Sequence, residues 1–192
     1  MNTIINRPNW HITHMSKAFE ISARSLDPRT KHGCVIIDEN NKPISEGYNS
    51  PPPGCIDENI PLESPEKYKY FTHAEVNAIL NANNNRVIEG ATFYITGYPC
   101  SSCFRAIRTV RAKRIIYGAV NSFMLTEDQY EKKAVFIMNQ NHSIECDKHI
   151  EIIRFSDLVA NGDDNASLDI LIKHKENVIS YINSIRNRIN GV

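Results

Sequence analysis

Two short stretches decide how this chain is read. They are Thr72-His73-Ala74-Glu75-Val76-Asn77-Ala78-Ile79 and Tyr98-Pro99-Cys100-Ser101-Ser102-Cys103-Phe104-Arg105-Ala106-Ile107. The first supplies an imidazole and, two residues later, a carboxylate. The second supplies two thiols in a Cys-x-x-Cys turn directly after a proline. Val76, Ile79 and Leu80 give the first stretch an apolar face, so a helix is predicted from His73 to about Asn83, with Thr72 as a possible cap. A second helix is predicted from Cys100 to Arg111. His73 and Cys100 are thereby expected in the first turns of their helices.

The surrounding chain reads as alternating elements. Ala91–Thr96, Lys113–Gly118 and His149–Phe155 are apolar, β-branched or aromatic runs and read as strands. Between the last two, Thr126 to Asn139 reads as a helix with Tyr130, Ala134, Ile137 and Met138 facing inward. Upstream, Asn9 caps a helix expected over Trp10 to Ser25. Its core stripe is Ile12, Met15 and Phe19, with His11 and His14 at the surface or cap. Cys34–Asp38 and Pro43–Asn49 read as a hairpin around the turn Glu39–Lys42. Strands alternating with helices after residue 73 require parallel neighbours joined by crossovers, while the hairpin adds an antiparallel pair. The expected fold is α/β: a three-layer α/β/α sandwich on a central mixed five-stranded sheet, plus a C-terminal helical extension.

Two connecting segments stand out. Arg24 to Gly33 crowds basic side chains and hydroxyls around Asp27-Pro28, which reads as a solvated turn or as an anion site. Ser50 to Phe71 holds five prolines and Gly54. It cannot be regular for long, and its place just before His73 suits a lid or specificity loop. Beyond residue 160 the composition changes. Asn161–Asn165 reads as a linker and Ser167–Ile189 as one amphipathic helix. There Leu171, Val178, Ile182, Ile185 and Ile189 form a seam for its own domain or for a second subunit. The division expected is 1–160 for the catalytic domain and 161–192 for linker and helix.

Bulk properties narrow the function. The chain has 192 residues, 22 basic and 22 acidic. A formal net charge of zero argues against a nucleic-acid surface. No apolar run reaches the roughly 18 residues of a membrane span, and no signal peptide is predicted. Of the five cysteines, two form the tight pair. Without a secretion signal, such a pair points to metal or redox chemistry in a reducing cytoplasm.

One imidazole and two thiolates, from His73, Cys100 and Cys103, make three zinc ligands, where a closed structural site takes four. The open position suits a water, whose pKa zinc lowers from about 16 toward about 7. Glu75 is too close in sequence to His73 to share the metal easily, but it can reach over it as a proton carrier. Either motif alone is common, and a lone Cys-x-x-Cys could be a structural knuckle or a redox pair. Their conjunction, with the proline and a strand or loop before each helix, points to catalytic zinc. Cys34 reads as a small buried apolar residue and Cys146 as incidental.

From about Met15 to Phe155 the sequence resembles the deoxycytidylate (dCMP) deaminases of the cytidine deaminase-like superfamily. The blocks carrying the resemblance are Arg24–Pro28 through Gly33, Gly47-Tyr48-Asn49, Gly54–Asp57, His73–Ile79 and Pro99–Cys103. The resemblance implies hydrolysis of dCMP to dUMP and ammonia, with one zinc ion on His73, Cys100 and Cys103 and Glu75 shuttling protons. It further implies that Asn49 binds the nucleoside part, that the backbone at Ala74 holds the base carbonyl, and that Arg24, Ser25 and Lys31 face the 5′-phosphate. A homo-oligomer is expected as well. The partner is a small nucleotide, with neither nucleic acid nor membrane expected. Other substrates remain open: a modified dCMP, a free nucleoside or base, or tRNA adenosine. A non-catalytic zinc module remains open too. Many members bind dCTP or dTTP with Mg2+ as effectors near the loop that here reads Ser50-Pro51-Pro52-Pro53 instead of beginning with glycine, which argues against that control. Cys55 could match a second zinc site, but Leu26 stands where another cysteine is needed, so one ion is expected.

Overall fold

Five short strands order the molecule: β1 (Gly33–Ile37), β2 (Pro43–Tyr48), β3 (Thr92–Ile95), β4 (Arg114–Tyr117) and β5 (Glu151–Arg154). They lie in the order β2-β1-β3-β4-β5. The computed structural model describes residues 8–82, 88–118, 129–140 and 149–160, with Glu176, Ile179, Ser180, Ile182, Asn183 and Ile185. β1 pairs antiparallel with both β2 and β3, while β3–β4 and β4–β5 are parallel. The sheet is therefore mixed, and β2 and β3 run the same way and finish at the same end.

Strand alternation divides the core. Cys34, Ile36, Phe93, Ile95 and Ile115 face one side, against Ala74 and Ala78 of α2 (Ala74–Asn81), Phe104 and Ile107 of α3 (Ser101–Thr109), and Val135 of α4 (Gln129–Gln140). Val35, Ile37, Tyr94 and Ile116 face the other side. There they meet Met15 and Ala18 of α1 (Trp10–Ser22), and Phe155 and Leu158 of α5 (Phe155–Ala160) pack alongside. This period of two is what buries both faces. The expected three-layer sandwich is the one observed.

Several local expectations need correction. The first helix stops at Ser22 rather than Ser25, because Ser22 Oγ donates back to the Phe19 carbonyl at 2.6 Å and the next amides close tighter i→i−3 bonds. His14 is a core residue, fully buried between Trp10 and Tyr94 at ring-centroid distances of 5.3 and 5.1 Å. Burial, then the Lys17 charge, pushes it down to about 4, so it stays neutral. His11 bonds the Tyr94 hydroxyl at 2.8 Å, and Phe19 is 42% exposed. In α4 the buried position is Val135, whereas Tyr130 and Ile137 are exposed. The start predicted at Thr126, the linker 161–165, Cys146 and most of the 167–189 helix lie outside the described residues. The six described residues beyond 175 are helical, with Ile182 and Ile185 exposed.

Two glycines set how closely helices approach the sheet. A Cβ at Gly33 would lie 1.9 Å from the Ala18 carbonyl oxygen in α1. At Gly47 it would lie 2.4 Å from the Ala78 nitrogen and 2.5 Å from the Ala74 oxygen in α2. These are backbone atoms that cannot swing aside. Gly47→Ala is expected to cost about 1–3 kcal/mol or more and to weaken zinc uptake by displacing α2. Urea unfolding and a chelator competition check this; wild-type values for both contradict it.

Candidate metal centre and its cavity

His73 and Cys100 do not lie inside their helices, as expected from sequence, but at the N-caps. His73 has φ −69° and ψ 153°, and Cys100 has φ −71° and ψ 167°. An N-cap residue is still extended, so its side chain can fold over the open end of the helix; that of Cys100 does, whereas that of His73 makes no cap bond. Cys100 Sγ accepts from the Cys103 amide at 3.5 Å. Ser101, first in α3, donates its amide to Glu131 of α4 at 2.6 Å, which pins the start of the helix.

Since β2 and β3 end together, the two caps meet. His73 Nδ1 lies 3.5 Å from Cys100 Sγ and 3.3 Å from Cys103 Sγ, and all three donor atoms lie within 4.8 Å of one another. Donors about 2.0–2.3 Å from one tetrahedral zinc ion stand roughly 3.3–3.8 Å apart. The donor set and its spacing therefore fit zinc. Glu75 lies beside it, its Oε2 3.4 Å from Cys103 Sγ, with only 6% of the residue exposed.

The side chains perturb one another strongly. The Cys100 contact lifts His73 to about 9, against burial and helped by the Glu75 charge. Hydrogen bonding with Cys103 pulls Cys100 down to about 4, with His73 adding to the effect. Cys103 moves up through the same contact and through burial. Burial raises Glu75 from its ordinary value.

The centre opens into a cavity of about 300 Å³, a size suited to a small ligand. Its wall near the metal site is His73, Ala74, Glu75, Gly97, Tyr98 and Cys100. The rest is Asp27, Thr30, His32, Asn49, Lys67, Tyr68 and Phe71. Ala74 opens α2, so its amide precedes the first helical hydrogen bond, from Asn77 to the His73 carbonyl. Asn49 is anchored to the backbone opposite. Its Oδ1 accepts from the His32 amide at 2.7 Å, and its Nδ2 donates to the Thr30 carbonyl at 3.0 Å.

The remaining sequence candidates do not line this wall. Arg24 is exposed, with its guanidinium 5.5 Å from the centre of the Tyr48 ring. Ser25 is buried and accepts from the Asp27 amide at 3.2 Å. Lys31 Nζ donates to the Ser25 carbonyl. Sequence reasoning missed Lys67 and His32. Lys67, expected in an irregular loop, lies in a 3-10 turn (Glu66–Lys69) and is only 3% exposed. It donates to both oxygens of Asp27, at 2.8 and 2.7 Å. The Asp-Pro turn with a lysine in the loop was the available signal, but nothing in sequence pairs positions forty apart. Ser50 and Thr72 close the loop's two ends through mutual backbone bonds of 3.1 and 2.8 Å.

With this fold and donor set, the chain belongs to the family of the cytidine and deoxycytidylate deaminase zinc-binding region, whose model matches residues 8–119. Its fold is cytidine deaminase-like. The deoxycytidylate deaminases of Pongo abelii and Homo sapiens are each 35% identical to it over 127 residues, 63% of this chain and 66% of theirs. The chain thus spans just under two thirds of those relatives. Among solved structures, dCMP deaminase from the cyanophage S-TIM5 in complex with dCMP and dUMP superposes with a TM-score of 0.58. That likeness covers 78% of this chain and 98% of that one at 20% identity, and it concerns the fold alone.

The buried ion pair in the wall makes a pH-dependent prediction. Burial pushes Asp27 up, but Lys67 and the amides of Arg29 and Thr30 outweigh it and hold the carboxyl below its ordinary value. A depressed folded pKa contributes stability above the unfolded value near 4 and loses it as pH falls through the folded one. Lys67→Met leaves the buried carboxylate without its counter-charge and is expected to cost about 3–5 kcal/mol at neutral pH. The gap from wild type should narrow as pH falls, because the buried carboxyl without Lys67 takes up its proton at a higher pH than the Lys67-held carboxyl of wild type. A gap independent of pH in urea unfolding contradicts this assignment.

Proposed function

We propose that this chain is a zinc-dependent hydrolase that converts dCMP to dUMP and ammonia, supplying dUMP for thymidylate synthesis. The observation that carries the proposal is a buried carboxylate, Glu75, set beside a three-donor metal group at the head of a ligand-sized cavity. The kinship with deoxycytidylate deaminases supports the choice of substrate.

In this reading His73, Cys100 and Cys103 would hold zinc, which when bound would supply Lewis acidity and a hydroxide-like nucleophile at neutral pH. Glu75 receives a proton at its carboxylate, delivers it to the base ring nitrogen and then assists departure of the amine. Burial raises its pKa toward the range where a carboxyl both accepts and gives up a proton. The Ala74 amide, unpaired within the helix, donates to the base carbonyl. Asn49 keeps a second Nδ2 hydrogen for the nucleoside. The 5′-phosphate role of Arg24, Ser25 and Lys31 rests on the resemblance; Lys67 is the only lysine or arginine among the described cavity-lining residues.

Free thiols at Cys34, Cys55, Cys100 and Cys103 suit a reducing cytoplasm. Among the described residues no helix is long and apolar enough to cross a membrane. We further propose that residues 161–192 form a unit separate from the catalytic domain. Exposure of Ile182 and Ile185 on a helix supports its use as a subunit seam in a homo-oligomer.

Ammonia release measured with dCMP, a 5-modified dCMP, deoxycytidine, cytosine and a tRNA tests the reaction. The expected result is turnover of dCMP above all others, lost by several orders of magnitude in Glu75→Gln while zinc content and folding persist. Full activity in that variant removes Glu75 from the chemistry. Preferential turnover of tRNA, the free nucleoside or the free base overturns the substrate.

A further inference from the structure

His32 immediately precedes β1 at the end of the sheet where the metal centre opens, and it lines the cavity. Its Nδ1 lies 3.1 Å from Thr96 Oγ1. Thr96 is fully buried, and its hydroxyl already accepts from the Gly33 amide at 3.1 Å. A buried hydroxyl must also place its own proton, since an unmade bond there costs about 1–3 kcal/mol. Among the described residues, His32 Nδ1 is the acceptor within reach. The ring's hydrogen therefore sits on Nε2, and no hydrogen bond to Nε2 occurs among the described residues.

Acceptors on two neighbouring side chains of the wall are already engaged. Both Asp27 oxygens hold Lys67, and the Asn49 oxygen holds the His32 amide. Burial, followed by the nearby His73, keeps the His32 ring neutral, at about 4. The His32 Nε2–H is thus an oriented, uncharged donor that no described residue uses. It stands within electrostatic reach of both Cys100 in the metal centre and Asp27 in the ion pair.

We propose that His32 is a specificity-determining residue whose Nε2–H donates to an oxygen of a bound cytosine nucleotide, on its sugar or its phosphate. This rests on the function proposed above, because Glu75 and the Ala74 amide set the base at the metal end and leave the sugar and phosphate to the rest of the cavity.

The test is calorimetric binding of dCMP and of deoxycytidine to zinc-loaded Glu75→Gln protein, alone and with His32→Val or His32→Gln added. Val removes the donor, whereas the amide of Gln can replace Nε2–H. His32→Val is expected to weaken dCMP binding by about three- to tenfold, the worth of one neutral hydrogen bond, and His32→Gln to restore it to within about twofold. Weakening for both ligands identifies a sugar oxygen, and weakening for dCMP alone a phosphate oxygen. Unchanged affinity in His32→Val overturns the proposal, as does an equal loss in Val and Gln, which marks a mere space-filler. Absence of ligand binding to the Glu75→Gln parent overturns it too. Melting temperatures check folding, and His32→Ala is a second donor-less variant should Val disrupt the strand. Wild-type turnover of dCMP is read separately: turnover with no His32 effect retains the reaction and discards His32. Binding sensitive to His32 without turnover does the reverse.

Discussion

The metal centre depends on two helix N-caps meeting. His73 and Cys100 each mark the residue where an extended segment becomes a helix; the Cys100 sulfur accepts from the Cys103 amide, and the His73 ring turns its Nδ1 to the two sulfurs. Those ends carry the positive side of the helix dipole, which favours thiolate over thiol at Cys100. Bringing the caps within 3.5 Å of one another makes demands on the whole scaffold. β2 and β3 must run in the same direction, which β1 achieves by pairing antiparallel with both. Helix α2 must sit against β2 at backbone contact, which only glycine at position 47 allows. Glu131 then fixes where α3 begins.

The cavity wall follows from the same requirement. Thr72, next to His73, is tied to Ser50 by two backbone hydrogen bonds, so the long proline-rich segment leaves and returns at one point. Lys67 draws its far part inward onto Asp27, and an exposed Arg29–Glu63 contact of 3.3 Å adds a second link between the same segments. The exposed contact contributes little, since solvent screens it. The buried pair carries more weight, because neither charge has water to return to. Asp27 also accepts from the amides of Arg29 and Thr30, at 2.9 and 3.1 Å, and so shapes the turn that carries His32 into the cavity.

Much of this was legible in sequence. The five strands, the hairpin and the alternation of layers follow from apolar periodicity, and the His-Ala-Glu and Cys-x-x-Cys spacings disclose the donor trio. What escaped has physical reasons. His14 reads as a polar residue near a helix start, yet stacking between Trp10 and Tyr94 makes it core. Its burial depends on the opposing sheet face rather than on the helix pattern. Lys67 and His32 acquire their roles through partners far along the chain, Asp27 and Thr96, which local pattern cannot pair. Helix boundaries shifted by one to three residues because side-chain caps, such as the Ser22 hydroxyl on the Phe19 carbonyl, decide them locally.

In the proposed reading, three protein donors on two helix ends make an open zinc centre. Zinc X-ray absorption of the loaded protein tests it most directly. Two sulfurs at about 2.3 Å and two lighter nitrogen or oxygen atoms at about 2.0–2.1 Å are expected, with one sulfur lost in Cys103→Ser. Three or four sulfurs, or a spectrum unchanged by that substitution, would contradict it.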